Sequence, residues 1–340
     1  MQRDNIVGNL TDWWGKPYYS LDAYFKNTYG QKIYKIAVDA GLSCPNRDGS
    51  LGSRGCIFCS AGGSGDFAVQ VTSKSKTFTV KEQIEEGISR FNKSVGDKFV
   101  IYFQAYTNTY GDIDYLRKIW SEALEHEDVV GISIATRPDC LGEKVLGLLR
   151  ELKDKYSVSG IEKFIWVELG LQTIHERTSD YIRRGYPLST YEEAVLKLGN
   201  VGIPYITHII FGLPGETKEE MLETVFYVEQ GIFDYDKHRQ IKPFGMKLQL
   251  LHVLKNTDLA LDYEAGKFKT MEMDEYIDLV IDALQKINPN IVIHRVTGDG
   301  PKSILISPTW SGNKKMVLNT LHKRMAEREA KQGDYSIMLW

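Results

Sequence analysis

The sequence predicts an α/β protein whose core is a β/α barrel, either complete or incomplete. Apolar segments recur along the 340 residues, and segments with helical periodicity alternate with them. Strands that are apolar throughout and alternate with helices are typical of a parallel sheet with helices on its outer face. Six such units in series therefore indicate a complete or incomplete β/α barrel.

Six segments rich in β-branched and aromatic residues are predicted to be the strands. The fifth of them leaves through a Gly-Leu-Pro-Gly turn, which suits the passage from a strand into a helix. In chain order the predicted strands are Lys32–Val38, Phe99–Tyr106, Val129–Thr136, Phe164–Gln172, Pro204–Glu216 and Met246–Leu254.

Segments of helical periodicity lie between and after these strands. They are predicted at Val80–Ser94, Ile113–Leu124, Glu143–Lys155, His175–Arg183, Tyr191–Asn200, Lys218–Gln230 and Met273–Lys286.

Two extensions flank the predicted core, which covers residues 32–290. Residues 1–31 are rich in aromatic side chains and are expected to pack on the barrel. Residues 291–340 contain a predicted strand and turn at Ile291–Pro301 and a predicted helix at Asn313–Gln332. This C-terminal helix is a candidate for contact with substrate or RNA.

Composition narrows the functional classes. Hydrophobic residues make up 42% and charged residues 26%, as in an ordinary globular protein. The net charge of −3 gives no global attraction to nucleic acid, so any such surface has to be local. No apolar run is long enough to predict a membrane span. The few cysteines do not suggest a disulfide framework, and a reducing cytoplasm is expected.

Three of the four cysteines, Cys44, Cys56 and Cys59, lie in one glycine-rich stretch. Thiolates commonly hold iron–sulfur clusters, and three ligands would leave one iron of a cubane open for another molecule. A structural zinc site with a fourth, distant ligand is an alternative. A CxxC redox pair is another, although the residues after Cys59 predict a loop rather than a helix. Cys140 stands apart and is interpreted as a structural cysteine.

Polar residues interrupt the apolar strands near their carboxyl ends. In a parallel β/α barrel these ends meet at one rim, where functional residues collect. The segments concerned are Gln104–Tyr110, Thr136–Asp139, Glu168–Gln172, His208–Gly215 and Gln249–His252, and the cysteine stretch follows the first strand.

Together these motifs resemble the radical S-adenosylmethionine (radical SAM) superfamily from about Lys32 to His252. Most members carry CxxxCxxC, whereas eleven residues separate Cys44 from Cys56 here. That wider gap resembles the branch that contains the Elongator catalytic subunit and the YtqA/YhcC-type proteins. The strings QAYTNTY, IATRPDCL, VELGLQ, IRRGY and HIIFGLPGET, in this order, resemble the latter group.

The resemblance implies a partial (β/α)6 TIM-like barrel with a [4Fe–4S] cluster on the three cysteines. SAM would chelate the open iron and be cleaved reductively to methionine and a 5′-deoxyadenosyl radical. Such an enzyme also needs an electron donor of the flavodoxin or ferredoxin type.

The resemblance further implies which residues contact SAM. Gln104 replaces a glycine-rich motif of other members, Arg137 could pair with the SAM carboxylate, and Gln172 matches a SAM-binding glutamine. Alternatives remain open: Arg137 could instead pair with Asp139 or Glu168, and His208 could be a satisfied core residue. The predicted SAM contacts are Gln104, Arg137, Glu168, Gln172, Arg184, His208 and Gly212.

The predicted substrate is tRNA, since the branch with widened cysteine spacing includes enzymes that build wobble-uridine side chains. An example would be conversion of a carboxymethylaminomethyl group toward aminomethyl at uridine C5. Basic residues in 314–331 and 237–247 could hold phosphates, or form a solvated face. Two alternatives remain. One is a radical enzyme that acts on a small metabolite, and the other is a non-catalytic RNA-binding module whose fold a zinc ion stabilises.

Overall fold

Parallel strands form the central sheet of the protein. The structure is a computed structural model that describes residues 13–63, 79–91, 96–158, 162–298, 300 and 302–336. Within these residues the central sheet has seven strands, in the order β1-β2-β3-β4-β5-β8-β10, and every neighbouring pair is parallel. The strands are β1 (Ile33–Val38), β2 (Lys98–Phe103), β3 (Val129–Thr136), β4 (Phe164–Gln172), β5 (Tyr205–Phe211), β8 (Gly245–Leu250) and β10 (Val292–Arg295).

Short strands outside this sheet form two antiparallel pairs in the described part of the chain. They are β6 (Ile232–Asp234) with β7 (Arg239–Ile241), and β9 (Val253–Leu254) with β11 (Leu305–Ser307). The predicted sixth strand, Met246–Leu254, is therefore two strands in different sheets.

The predicted fold class is confirmed, with one strand more than expected. β10 follows the predicted end of the core at residue 290 and pairs with β8, where Val292 lies opposite Gly245. A strand was predicted within Ile291–Pro301, and β10 confirms it, but the prediction placed it outside the barrel. Pairing in a parallel sheet is a long-range contact that local periodicity does not specify.

Ten α-helices connect and cover the strands within the described residues. They are α1 (Leu21–Tyr29), α2 (Val80–Ser89), α3 (Ile113–Glu125), α4 (Glu143–Tyr156), α5 (Glu176–Tyr181), α6 (Leu188–Val201), α7 (Lys218–Gln230), α8 (Asp258–Glu264), α9 (Met273–Lys286) and α10 (Lys314–Glu327). Thr79 and Thr217 begin α2 and α7 with capping boxes, which satisfy amide groups that have no partner inside the helix.

Some helix boundaries differ from those predicted. The predicted first helix ends at Ser94, which lies outside the described residues, whereas α2 ends at Ser89. The C-terminal helix α10 ends at Glu327, five residues before the predicted end. Helix ends depend on capping contacts, which apolar periodicity does not reveal.

The described part of the N-terminal extension packs on the sheet. Phe25 of α1 is buried and stacks on Trp166 of β4 at 5.9 Å between ring centroids. Tyr24 meets Phe244 edge-on at 5.1 Å. Aromatic contacts of this kind add to the burial of apolar surface and fix α1 against the strands.

The sheet is curled rather than flat. β1 and β4 are three places apart in the sheet, which corresponds to roughly 14 Å at the usual strand spacing. Nevertheless Lys35 Nζ on β1 lies 2.7 Å from Glu168 Oε1 on β4. A curled sheet brings inward side chains together, as in a partial barrel. Among the described residues, no helix combines the length and apolar character that a membrane span requires.

Candidate cofactor site

One cavity opens at the carboxyl ends of the strands and collects most of the predicted site. Its volume is about 260 Å³, close to the smallest sites that bind small molecules. The predicted residues that line it are Cys44, Cys56, Cys59, Gln104, Arg137, Glu168, Gln172, Arg184 and His208. Gly212 is not among the residues lining this cavity; it lies beside Met221 and Met271.

The cysteine loop is held by its own backbone. Arg47 N donates to Cys44 O at 2.8 Å, and Cys59 N donates to Cys56 O at 3.0 Å. Gly55 has φ +73°, a conformation that side chains disfavour. A Cβ atom there would lie 2.8 Å from Arg47 Nε. Glycine at this position therefore lets Arg47 lie against the loop.

Polar groups surround the cysteine sulfurs. Asn46 Nδ2 lies 3.6 Å from Cys56 Sγ, and Arg47 Nη2 donates to Cys59 O at 2.8 Å and to Ser60 O at 2.6 Å. Burial, followed by the charge of Cys59, raises the pKa of the Cys56 thiol to about 11. Arg54, farther along the same loop, pairs with Asp258.

The donor set fits an iron–sulfur cluster. None of the three thiols forms a disulfide, and all three lie on one cavity. Thiolates select zinc, copper(I) and iron–sulfur clusters, and cysteine thiolates are the usual ligands of such clusters.

Two arginines at the rim are bonded to protein groups. Arg137 donates to Asp139 through Nε at 2.9 Å and Nη2 at 2.7 Å, which is the ion pair considered as an alternative. Arg184 is buried and donates to the carbonyls of Leu171 and Thr173, at 3.2 and 2.6 Å. Arg184 thus fixes the chain at the end of β4.

Glu168 is fully buried and has different partners from those expected. From the sequence, Glu168 was expected to contact SAM or, as an alternative, to form an ion pair with Arg137. Instead, Glu168 Oε1 accepts from Lys35 Nζ at 2.7 Å and Ser133 Oγ at 2.5 Å. Its Oε2 accepts from His208 Nε2 at 2.7 Å and from Lys247 Nζ. Four donors compensate the burial of this carboxylate.

Burial and the neighbouring charges strongly shift the pKa values of Glu168 and His208. Burial alone would raise the pKa of Glu168, but the charges of Lys247 and Lys35 hold it well below its usual range. Burial, together with the charge of Lys247, lowers the pKa of His208 to about 4. His208 is therefore neutral at pH 7 and donates to a carboxylate that stays ionised.

These side chains belong to a polar layer inside the barrel, which we call the barrel floor, and most of them line the cavity. Each strand of the central sheet contributes one residue to it. The barrel floor consists of Lys35, Tyr102, Ser133, Glu168, His208, Lys247 and Arg295.

Sequence reasoning missed most of the barrel floor. Lys247 was grouped with surface basic residues, yet it is 4% exposed and bonds Tyr102 Oη at 2.9 Å. The sequence did contain a pattern that indicates buried charged groups, because two of the apolar strands each contain a lysine, Lys35 and Lys247. A charge in such a strand needs a buried partner.

Much of the predicted basic surface on α10 is paired with acidic residues. Arg324 bonds both Asp274 and Asp278, and Arg328 also bonds Asp278.

Three exposed lysines lie in a cleft next to the cavity, and the two share Gly300. The lysines are Lys302, Lys314 and Lys315. We call these three the mouth lysines.

Two protein-family models and several known proteins match the sequence of this chain. The radical SAM superfamily model matches residues 50–228, and the radical SAM C-terminal domain model matches residues 243–327. YtqA of Bacillus subtilis is 41% identical over 321 residues, which cover 94% of this chain and 93% of that protein.

More distant relatives include a tRNA-modifying enzyme. The tRNA uridine(34) acetyltransferase of Methanocaldococcus jannaschii is 25% identical over 196 residues, 57% of this chain and 32% of that protein. The structure of Elp3 from Methanocaldococcus infernus superimposes with a TM-score of 0.60 at 17% identity, over 89% of this chain and 64% of that one. This likeness shows a shared fold. On the matches to both family models and to YtqA, the chain belongs to the radical SAM superfamily, in the YtqA/YhcC branch that its motifs resemble.

Proposed function

We propose that the protein is a radical SAM enzyme that modifies the C5 side chain of the wobble uridine in tRNA. The observation that carries the first part is the cavity, which three cysteine thiols and polar strand ends line together. Members of the superfamily generally use a [4Fe–4S] cluster and SAM.

Cys44, Cys56 and Cys59 would hold the cluster, with Asn46 and Arg47 fixing the loop around it. When bound, the cluster supplies the electron that cleaves SAM to methionine and a 5′-deoxyadenosyl radical. The enclosing barrel excludes water from this reactive species.

The proposed SAM contacts divide into two kinds. Gln104 and Gln172 offer side-chain amides at the cavity, and Arg137 and Arg184 shape its rim. Glu168 and His208 lie deeper, as part of the barrel floor. Gly212 lies outside the cavity lining, so its proposed role is to shape the turn after β5 rather than to contact SAM directly.

The tRNA substrate has two lines of support. A relative that aligns with more than half of this chain is a tRNA uridine(34) acetyltransferase. In addition, the mouth lysines lie beside the cavity, where cationic side chains would meet phosphates. The electron donor would be a flavodoxin or ferredoxin, and the reaction would take place in the cytoplasm.

The test is anaerobic purification followed by iron and sulfide analysis. The purified protein is then reduced with dithionite in the presence of SAM and assayed for 5′-deoxyadenosine. Four irons per chain, deoxyadenosine, and a changed uridine in hypomodified tRNA are expected. If the protein contains zinc in place of iron and forms no 5′-deoxyadenosine, the proposal is contradicted, and a binding protein stabilised by a metal ion is favoured. Deoxyadenosine formation without any effect of tRNA would favour a small-metabolite substrate.

A further inference from the structure

His252 connects the cavity to the cleft that contains the mouth lysines. It lies just after β8 and lines the cavity. Its Nε2 atom lies 3.0 Å from Oγ of Ser311, a buried residue that lines the cleft. One side chain thus joins the place where the reaction is proposed to the surface that is proposed to hold phosphates.

The direction of this hydrogen bond follows from its partners. Ser311 Oγ lies 2.8 Å from the carbonyl oxygen of Pro308, which can only accept, so the hydroxyl proton of Ser311 is donated there. The ring of His252 must therefore donate to Ser311 and carry a proton on Nε2. A side chain at this position without a hydrogen-bond donor would not form the contact.

Two glycines enclose the His252 ring. A Cβ atom on Gly298 would overlap Cε1 of the ring, and a Cβ atom on Gly300 would lie 3.2 Å from Cδ2. Both glycines also line the cavity. Backbone on two sides therefore restricts the orientation in which the ring reaches Ser311.

The contact lies at the start of the helix that carries two of the mouth lysines. Asn313 caps α10, and Lys314 and Lys315 are its first two residues. Ser311 precedes Lys314 by three positions. The bond from His252 therefore fixes the start of α10 relative to the end of β8.

The segment around Ser311 has anchors of its own. Trp310 Nε1 donates to Met271 O at 3.1 Å, and its ring packs against Tyr276 at 5.6 Å between centroids. Three apolar side chains of α10 are also buried. Loss of the bond between His252 and Ser311 is thus expected to shift this segment relative to the cavity rather than to unfold it.

We propose that His252 is a positioning residue for tRNA, because it holds the start of α10 at a fixed distance from the cavity. Phosphates bound by the mouth lysines would then place the wobble nucleoside inside the cavity. A displacement of about 1 Å can lower the rate of an enzyme about a hundredfold, so a contact remote from the reacting atoms can control the reaction. The inference rests on the proposed function, since it explains how one tRNA meets both surfaces in register.

The test is photo-crosslinking, which reports the position of the nucleoside without turnover. The probe is a tRNA anticodon stem–loop with 4-thiouridine at the wobble position, irradiated on the anaerobic, cluster-loaded full chain with SAM and without reductant. The wild type is expected to form crosslinks at residues that line the cavity. His252→Phe keeps a ring between the glycines but removes the donor, and it should lower the yield of these crosslinks about tenfold. Its affinity for the probe should stay near that of the wild type, because the mouth lysines remain.

Further variants identify the contact itself. Ser311→Ala removes the acceptor and should lower the yield as His252→Phe does, and it decides the matter if His252→Phe does not fold. The double variant should be no worse than either single variant, because both remove the same bond. His252→Gln keeps an amide donor and should restore part of the yield. Ser307→Ala is the matched control, since this buried serine of the same segment bonds Thr270 instead, and it should crosslink as the wild type does.

The outcomes separate this inference from the proposed function. Wild-type yields in both His252→Phe and Ser311→Ala would overturn the inference, as would the absence of cavity crosslinks in the wild type. A loss in His252→Phe without a loss in Ser311→Ala would also overturn it, because the ring would then act on the nucleoside directly. A wild type that crosslinks at the cavity but leaves the uridine unmodified under reducing conditions would contradict the proposed reaction while supporting the positioning role.

Discussion

At the residue scale, the cysteines of the loop differ from Cys140 in their surroundings. Cys44, Cys56 and Cys59 line the cavity, whereas Cys140 follows the rim and lies 3.7 Å from Asp139 Oδ1. Burial and the charge of Asp139 raise the pKa of Cys140 to about 12. Its position outside the cavity lining separates Cys140 from the three proposed ligands.

Replacing any one of Cys44, Cys56 and Cys59 by Ala is expected to abolish iron retention and 5′-deoxyadenosine formation, because a cluster with two thiolate ligands is released. Cys140→Ala is the matched control and should retain four irons. Iron content and product are measured anaerobically. Retained SAM cleavage in a loop variant, or loss of iron in the control, would contradict the assignment of the ligands.

The low pKa of His208 predicts that acid destabilises the protein. In the unfolded chain a histidine titrates near 6.5, whereas burial and Lys247 lower the pKa of folded His208 to about 4. Between these values the unfolded state binds more protons, so stability falls as the pH falls. At pH 5 the loss from this side chain is about 2 kcal/mol relative to pH 7.5.

Urea unfolding of wild type and His208→Gln at pH 7.5 and pH 5 measures this loss. The variant should lose about 2 kcal/mol less than the wild type between the two pH values. His238→Gln, at an exposed position between β6 and β7, should behave as the wild type. Identical pH dependence in His208→Gln and the wild type would mean that His208 is not the buried neutral group inferred here.

At the element scale, the loop after β1 requires glycine for its shape. Gly55→Ala places a side chain at φ +73°, which costs roughly 1–2 kcal/mol, and it displaces the Arg47 side chain. We expect lower iron content, because Arg47 bonds the carbonyls of Cys59 and Ser60.

Gly147→Ala is the matched control for the loop variant. Gly147 lies in α4 with open space around its Cα, and alanine there should stabilise the helix by up to about 1 kcal/mol. Iron content per chain and the midpoint of thermal unfolding are measured for both variants. Full iron content in Gly55→Ala would show that the cluster does not depend on this turn.

At the scale of the whole molecule, the strands converge on the cavity while the mouth lysines lie outside it. The cavity has room for a small reactive group, and the exposed mouth lysines could contact a polyanion. A substrate such as tRNA would use both, with one side chain inside and the phosphates outside.

Neutralising the mouth lysines by Lys302→Gln, Lys314→Gln and Lys315→Gln together should weaken tRNA binding. The logarithm of the tRNA-binding constant falls linearly with the logarithm of the salt concentration, and each lost phosphate contact makes this slope shallower by roughly 0.7–0.9. Binding is measured between 50 and 200 mM salt, roughly the range over which such contacts are lost. A triple variant on outer helices, Lys118→Gln, Lys144→Gln and Lys197→Gln, has the same change in charge and should bind as the wild type. Equal slopes for both triple variants would contradict the proposed surface.

The sequence by itself determined the fold class, the order of the six predicted strands and the cysteine loop. These features depend on local patterns, namely apolar segments, helical periodicity and the spacing of thiols, which neighbouring residues carry. The gathering of polar strand ends at one rim followed from parallel topology alone.

Only the tertiary structure decided which polar groups meet inside the barrel. The pairing of β10 with β8 and the partners of Glu168 join residues that are far apart in the chain. For Arg137, the folded structure selects Asp139 from the two carboxylates that the sequence offered. Lys35 and Glu168 are 133 positions apart in the chain and come within 2.7 Å because the sheet curls. Such contacts are properties of the closed three-dimensional arrangement, and no local pattern in the sequence encodes them.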